Sequence, residues 1–236
     1  MRILVIDPVA TQEWVEKDAE YLRGIAAPGT ELSVMALSRG PASIETFYDV
    51  AYAAPEVLHI VRDQAEEFDA IVINCFADPA VDAARELTDR VVLGPAETSM
   101  ALALHLGDRF SVISTFANTA PWVRQQAVKL GVERRLASAI GIEVPVLELS
   151  REPERTVEEL VRAAKLAVER DGAEVIVLGC TGMATLAQAV RARLPVPLIE
   201  PAAATLKTAE LLVSLGLRHH RGGRYLIPNP DKLRGY

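Results

Sequence analysis

Asp69-Ala70-Ile71-Val72-Ile73-Asn74-Cys75 and Glu174-Val175-Ile176-Val177-Leu178-Gly179-Cys180 are the two stretches on which the fold turns. In each, an acid precedes four apolar residues, apolar on both faces as a strand buried in a parallel sheet must be. Each run ends in a cysteine, and the two lie at a constant offset of 105 residues. The match extends outward. Beyond each cysteine a helical segment leads to a second strand and a proline, Val92-Leu93-Gly94-Pro95-Ala96 in one case and Leu198-Ile199-Glu200-Pro201-Ala202 in the other. After each proline a further helix starts. Upstream, Ile3–Ile6 has a counterpart in Ser111-Val112-Ile113, about 107 residues later. The chain therefore reads as α/β, with two similar lobes, each a parallel sheet with helices on both faces, related by pseudo-two-fold symmetry.

Local signals fill in the frame. Glu31–Leu37, Val91–Leu93 and Phe110–Ser114 read as further strands. Apolar spacing predicts helices over Pro55–Glu67 and Val157–Glu169, the second opened by a capping box at Thr156-Val157-Glu158-Glu159 and stopped at Asp171-Gly172. Asp78-Pro79 reads as the N-cap and first residue of a helix ending near Leu87. The expected division is 1–98 for the first lobe and 99–205 for the second, with 206–236 packing back on the first and the active site between the lobes.

Composition excludes several classes. The chain has 236 residues, half of them hydrophobic, enough for a sizeable core without disulfides or metals. Lys+Arg is 25 against Asp+Glu 32, a net charge of −7 that argues against a nucleic-acid partner. No window approaches the roughly 18 apolar residues of a membrane span, and the first residues run straight into a short strand without a signal-peptide pattern. Two cysteines make neither a disulfide framework nor a four-ligand zinc site. The expectation is a cytoplasmic protein with no membrane or nucleic-acid partner and no metal.

Ligands of open α/β sheets bind outside the carboxyl ends of the strands, where both cysteines fall. A helix start there would favour thiolate over thiol. Two sulfurs facing each other across a cleft suit one reaction class, removal of a proton from one face of a carbon and its return from the other. Taken singly, each cysteine is equally a small buried hydrophobe, and a disulfide between them is the third reading.

At these residues the chain resembles a known family. Asn74-Cys75-Phe76-Ala77-Asp78-Pro79 and Gly179-Cys180-Thr181-Gly182-Met183 are similar to the two cysteine motifs of the aspartate/glutamate racemase superfamily, most closely its hydantoin racemase branch, which includes allantoin racemases. Arg39–Glu45, Tyr48-Asp49, Glu97–Met100 and Pro201–Lys207 agree as well, so the resemblance runs to about Leu217. It implies a two-lobed fold and cofactor-independent racemisation of a 5-substituted hydantoin or allantoin, with Cys75 and Cys180 as the acid/base pair. It also implies substrate contacts from Ser43, Phe76, Ser114, Thr115, Thr181 and Gly182, no pyridoxal phosphate, and a homo-oligomer. Tyr48, which follows the Ser43 segment, is a further pocket candidate. Other members of the superfamily keep the fold and change the reaction, as amino-acid racemases, maleate isomerases or arylmalonate decarboxylases. A small-molecule binding protein with structural cysteines is the non-enzymatic alternative.

One segment departs from the branch. Where it usually carries Asn-Pro-Asn after the first strand, this chain has Asp7-Pro8-Val9. Asp7 accepts hydrogen bonds from ring N–H groups but donates none unless protonated, and its charge would repel a substrate carboxylate. A neutral hydantoin-like ring fits this better than a free acidic amino acid. His59 and His105 fall in predicted helices as core or surface residues. Trp14 and Trp122 read as core or subunit contacts, and His219-His220 with Arg218, Arg221 and Arg224 as a solvated basic turn.

Overall fold

A computed structural model describes residues 1–229, so 230–236 of the segment expected to return to the first lobe lie outside the described residues. Strands β1 (Arg2–Asp7), β2 (Glu31–Ala36), β3 (Ala70–Ile73) and β4 (Val91–Leu93) form one parallel sheet in the order β2-β1-β3-β4. Strands β5 (Phe110–Ser114), β6 (Leu136–Gly141), β7 (Val175–Leu178) and β8 (Leu198–Ile199) form a second, β6-β5-β7-β8. The two orders are the same topology read twice. Register agrees too: Ile6 pairs with Ile73 in the first sheet and Ile113 with Leu178 in the second. The next amide closes the ladder in both, Asn74 N–H donating to the Ile6 carbonyl and Gly179 N–H to the Ile113 carbonyl.

Each sheet is covered on both faces, as continuous apolar strands require. Leu4, Ile6, Ile71 and Ile73 point to helices α2 (Phe47–Gln64) and α3 (Val81–Leu87). Ile113, Ile176 and Leu178 point to α6 (Pro153–Asp171) and α7 (Ala187–Arg191). The other faces are covered by exchange. Helix α4 (Pro95–Ala103), which follows β4, buries Ala96, Met100 and Ala103 against Phe110, Val112, Val175 and Val177 of the second sheet, beside α5 (Ala120–Leu130). Helix α8 (Pro201–Ser214), which follows β8, buries Ala202, Leu206 and Ala209 against Ile3, Val5, Ala70 and Val72 of the first sheet, beside α1 (Glu13–Ile25). Burying one Leu or Met side chain in this way contributes about 1.5–3 kcal/mol. Separating the lobes would therefore strip both cores.

Several local expectations change. Helix α2 starts at Phe47, not Pro55. Thr46 and Asp49 form a reciprocal capping box there, and Pro55 sits inside the helix. Asp78 does not start α3: its φ of 47° and that of Ala80 at 61° turn the chain before Val81. Thr156 lies inside α6 rather than at its cap, its hydroxyl donating to the Glu152 carbonyl, because Pro153 already opens the helix. His105 lies just beyond the end of α4, not within a helix. The basic turn is docked only in part, with Arg218, His220 and Arg224 exposed as expected. His219 Nε2 accepts the Val92 N–H at 2.9 Å, Arg221 pairs with Asp89 and Arg224 with Asp82. Arg85, buried in α3, joins the Val92 carbonyl, the Glu97 carboxylate and the Tyr225 hydroxyl. Among the described residues no helix is long and apolar enough to cross a membrane.

Candidate active site

The carboxyl ends of β3 and β7 open into a cleft that continues into a second, smaller hollow. Cys75 and Cys180 line both spaces, as do Ile44, Val146 and Thr181. The larger space is walled by Phe47, Val50, Phe76 and Trp122, with Thr115, Asn118 and Thr119 as its polar groups. The smaller one is walled by Asp7, Asp18, Ser43, Asn74 and Gly182 under Trp14.

Each cysteine has the same local frame. The Ala77 N–H donates to Cys75 Sγ at 3.4 Å, and the N–H of Gly182 points in the same way at Cys180. In both lobes this is the amide two residues after the sulfur. Neither cysteine opens a long helix. Cys75 enters a turn, and Cys180 caps a short 3-10 segment, Thr181–Leu186. The expected helix start is therefore absent at Cys75, and at Cys180 it is a 3-10 turn that runs on into α7. Burial pushes the Cys75 thiol well above the ordinary thiol range and Cys180 to about 12, with negative neighbours adding to both. The N–H donors act in the opposite direction. Both cysteines are free thiols, so the disulfide reading is not realised.

The floor beneath Cys75 is acidic. Asn74 Nδ2 donates to Asp7 Oδ1 at 2.8 Å and to Asp18 Oδ2 at 2.9 Å, tying the end of β1 to α1. Burial pushes Asp7 to about 6; burial, then the charge of Asp7, push Asp18 to about 8. Beneath Cys180 the equivalent groups are small. Ser114 donates to the Gly179 carbonyl at 3.3 Å, and a Cβ at Gly179 would lie 2.9 Å from Ser114 Cβ. The two floors are joined by Thr181, whose hydroxyl donates to the Asn74 carbonyl at 3.2 Å.

A clasp crosses the cleft above. Glu45 accepts the Val146 N–H on Oε1 at 2.8 Å and the Asn118 side-chain amide on its carbonyl at 3.3 Å. Of the residues expected to touch substrate, Asp7, Ser43, Phe76, Ser114, Thr115, Thr181 and Gly182 all line one space or the other. Tyr48 lies outside both. It is 74% exposed and stacks on Tyr52 one helical turn on, with ring centroids 6.0 Å apart. Sequence reasoning missed Asp18, Glu45, Trp14 and Trp122 as wall residues. Trp122 packs edge-on against Phe76 at 6.1 Å and so serves the cleft as well as the core, whereas Trp14 lines only the smaller hollow. Acids on the apolar-facing side of α1 and in the Ser43 loop were the available signal.

The model of the Asp/Glu/Hydantoin racemase family matches residues 3–209. A hydantoin racemase from Paenarthrobacter aurescens is 37% identical over 230 residues, 97% of this chain and 98% of that protein. Among solved structures, an allantoin racemase from Pseudomonas fluorescens superposes with a TM-score of 0.95 at 34% identity, covering 100% of both chains. An allantoin racemase from Klebsiella pneumoniae gives 0.93 at 37% identity, covering 100% of this chain and 96% of that one.

Proposed function

The chain belongs to the Asp/Glu/Hydantoin racemase family and is an isomerase of the racemase type, and from that premise we propose that it inverts the stereogenic carbon of 5-substituted hydantoins or of allantoin by a two-thiol mechanism. The observation that carries this reading is the equivalence of the two cysteines. They follow equivalent strands, β3 and β7, of two four-stranded sheets with the same topology, and they line one cleft. Each has a backbone N–H directed at its sulfur.

In the forward direction one sulfur, as thiolate, takes the ring proton at the stereogenic carbon and becomes a thiol. The electron pair left on carbon delocalises into the adjacent carbonyl as an enolate. The opposite thiol then gives its proton to the other face and is left as thiolate. Turnover therefore moves the negative charge from one cysteine to the other, and the reverse reaction restores it. The substrate suits so weak a driving force. Its carbon acid lies between a carbonyl and a ring nitrogen, so no electron-sink cofactor is needed. The Ala77 and Gly182 amides hold whichever sulfur is charged, offsetting part of the burial cost. The Asp7–Asn74 floor supplies acceptors for ring N–H groups and disfavours a substrate carboxylate. Thr115 and Ser43 offer hydroxyls on opposite sides of the sulfurs.

Proton NMR in D₂O on single enantiomers of 5-benzylhydantoin and allantoin, followed with optical rotation, tests this. Exchange of the stereogenic proton above the uncatalysed rate is expected. Cys75→Ser and Cys180→Ser should each lower racemisation by roughly 10²–10⁴-fold while leaving the melting temperature unchanged. A single mutant that still exchanges deuterium into one enantiomer without inverting it assigns that cysteine's face. Absence of exchange with every hydantoin, or full activity in either mutant, overturns the reading.

A further inference from the structure

Two carboxyl groups held on one amide without a cation, one of them buried, disfavour a second charge, and that is the situation of Asp7 and Asp18. Asp7 is 2% exposed at the end of β1, and neither acid forms an ion pair among the described residues. One amide, Asn74 Nδ2, spends its two N–H groups on one oxygen of each. That leaves Asp7 Oδ2 buried with no donor, while Asp18 is held on the same amide. An ionised pair would set two negative charges on the two sides of one amide. A single proton between them satisfies both.

We propose that Asp7 and Asp18 form a one-proton carboxyl–carboxylate pair, and that Asp18 is a positioning residue for racemisation: by holding the proton it keeps Asp7 as a singly charged acceptor facing the substrate ring. This rests on the function proposed above and adds a residue and a charge state to it. The pair sits directly under Cys75, because Asn74, which bridges it, is the residue before the sulfur. The groups facing it all carry negative charge or none. They are Cys75 and Cys180 in the cleft and Glu200 at the start of α8, which accepts the Tyr21 hydroxyl at 2.8 Å. Arg191 acts on Glu200 and Tyr21 from the far side. Loss of the shared proton would place two charges beneath the carbon that must itself become an enolate. The alkaline side of the reaction is therefore controlled from this floor before either thiol ionises fully.

Burial and the charge of Asp7 push Asp18 to about 8, which sets where the effect is sought. The test compares the whole enzyme with Asp18→Asn, whose amide keeps a donor toward Asp7 that no base removes, and with Asp18→Ala, which has none. In 5-benzylhydantoin racemisation, the wild-type kcat/KM is expected to fall above pH 8. Asp18→Asn should move that alkaline limb upward by at least one pH unit, and Asp18→Ala should raise KM at pH 7 about tenfold without restoring the limb. An unchanged alkaline limb in Asp18→Asn overturns the proposal. A second readout does not depend on activity. A carboxyl raised in the folded state binds a proton there that the unfolded chain has released, so stability falls as pH rises from the ordinary carboxylate range to about 8. Asp18→Asn should flatten the fall in Tm between pH 5 and pH 8 by the equivalent of one proton. Equal slopes overturn the shared proton. An inactive wild type with the expected slope difference rejects the substrate reading and keeps the pair.

Discussion

The first lobe places Asp7 and Asn74 where the second places Ser114 and Gly179, at the ends of equivalent strand pairs and just before equivalent cysteines. One floor is thus a hydrogen-bonded acid cluster reaching to α1. The other is so tight that a single Cβ would not fit. The same exchange of roles recurs at the helix starts. In the second lobe the N-terminus of α8 is capped by its own neighbour, Glu200, which accepts the Ala202 and Ala203 N–H groups at 2.8 and 2.7 Å. In the first lobe the equivalent position is Gly94, and the carboxylate arrives from across the loop. Asp78 accepts the Ala96 and Glu97 N–H groups, each at 2.9 Å. A duplicated fold needs an acceptor at that helix end, where free N–H groups and the helix dipole converge, but it does not need the acceptor from one place. Duplication preserves the requirement and leaves the supplier free to change.

The sharpest way to break this symmetry is at Gly94. A Cβ there would lie 2.4 Å from the Asp78 carboxyl, so the cap and the side chain cannot coexist. Gly94→Ala is expected to destabilise the protein by about 3 kcal/mol, adding a steric clash to a lost cap, measured by urea unfolding. A loss below about 1 kcal/mol would mean that the borrowed cap is dispensable.

Comparing the two suppliers is a finer test. Asp78→Asn and Glu200→Gln each keep one accepting oxygen and should cost about 1 kcal/mol apiece. Burial raises both carboxyls, so both act on stability in the same pH direction. Burial pushes Asp78 to about 8, so its folded form holds a proton that the unfolded chain has lost. The stability this lends is full at acid pH and disappears as pH rises to about 8, and Asp78→Asn should remove that part of the slope in Tm. An Asp78→Asn slope identical to wild type would show that Asp78 is ionised throughout.

The smallest effect compares the two sulfurs. Burial raises both thiols well above the ordinary range. Alkylation by iodoacetamide at pH 7 should be slow at both and accelerate up to pH 10, as peptide mapping would read. Fast labelling of one cysteine at pH 7 would point to a thiolate held in that lobe.

Much of this was legible in the chain. Four apolar residues ending in Cys75 and four ending in Cys180 were enough to place both sulfurs at strand ends, because a buried parallel strand must be apolar on both faces. The pocket residues beside those ends, Phe76, Thr181, Gly182, Ser114 and Thr115, were expected from the resemblance to the racemase superfamily, and all of them line the cleft or the hollow beside it. Tyr48 does not, since one residue further along α2 turns a side chain about 100° away, and Phe47 takes the place at the cleft. The capping box that moves the start of α2 to Phe47 was present as Thr46 and Asp49, but Pro55 masked it as a boundary.

Sequence by itself determined the duplication, the strand that carries each cysteine and the acid in place of an amide at position 7, since all three are properties of neighbouring residues. The return of the chain after Thr205 onto the first lobe was expected from the sequence, but tertiary structure alone decided that α4 covers the second sheet, because its apolar face is one that either sheet accepts. It also decided that Asp18 lies 2.9 Å from the amide of Asn74, 56 residues away. Nothing in a helix's periodicity says which strand end it will face, and the proton shared in that floor depends on the answer.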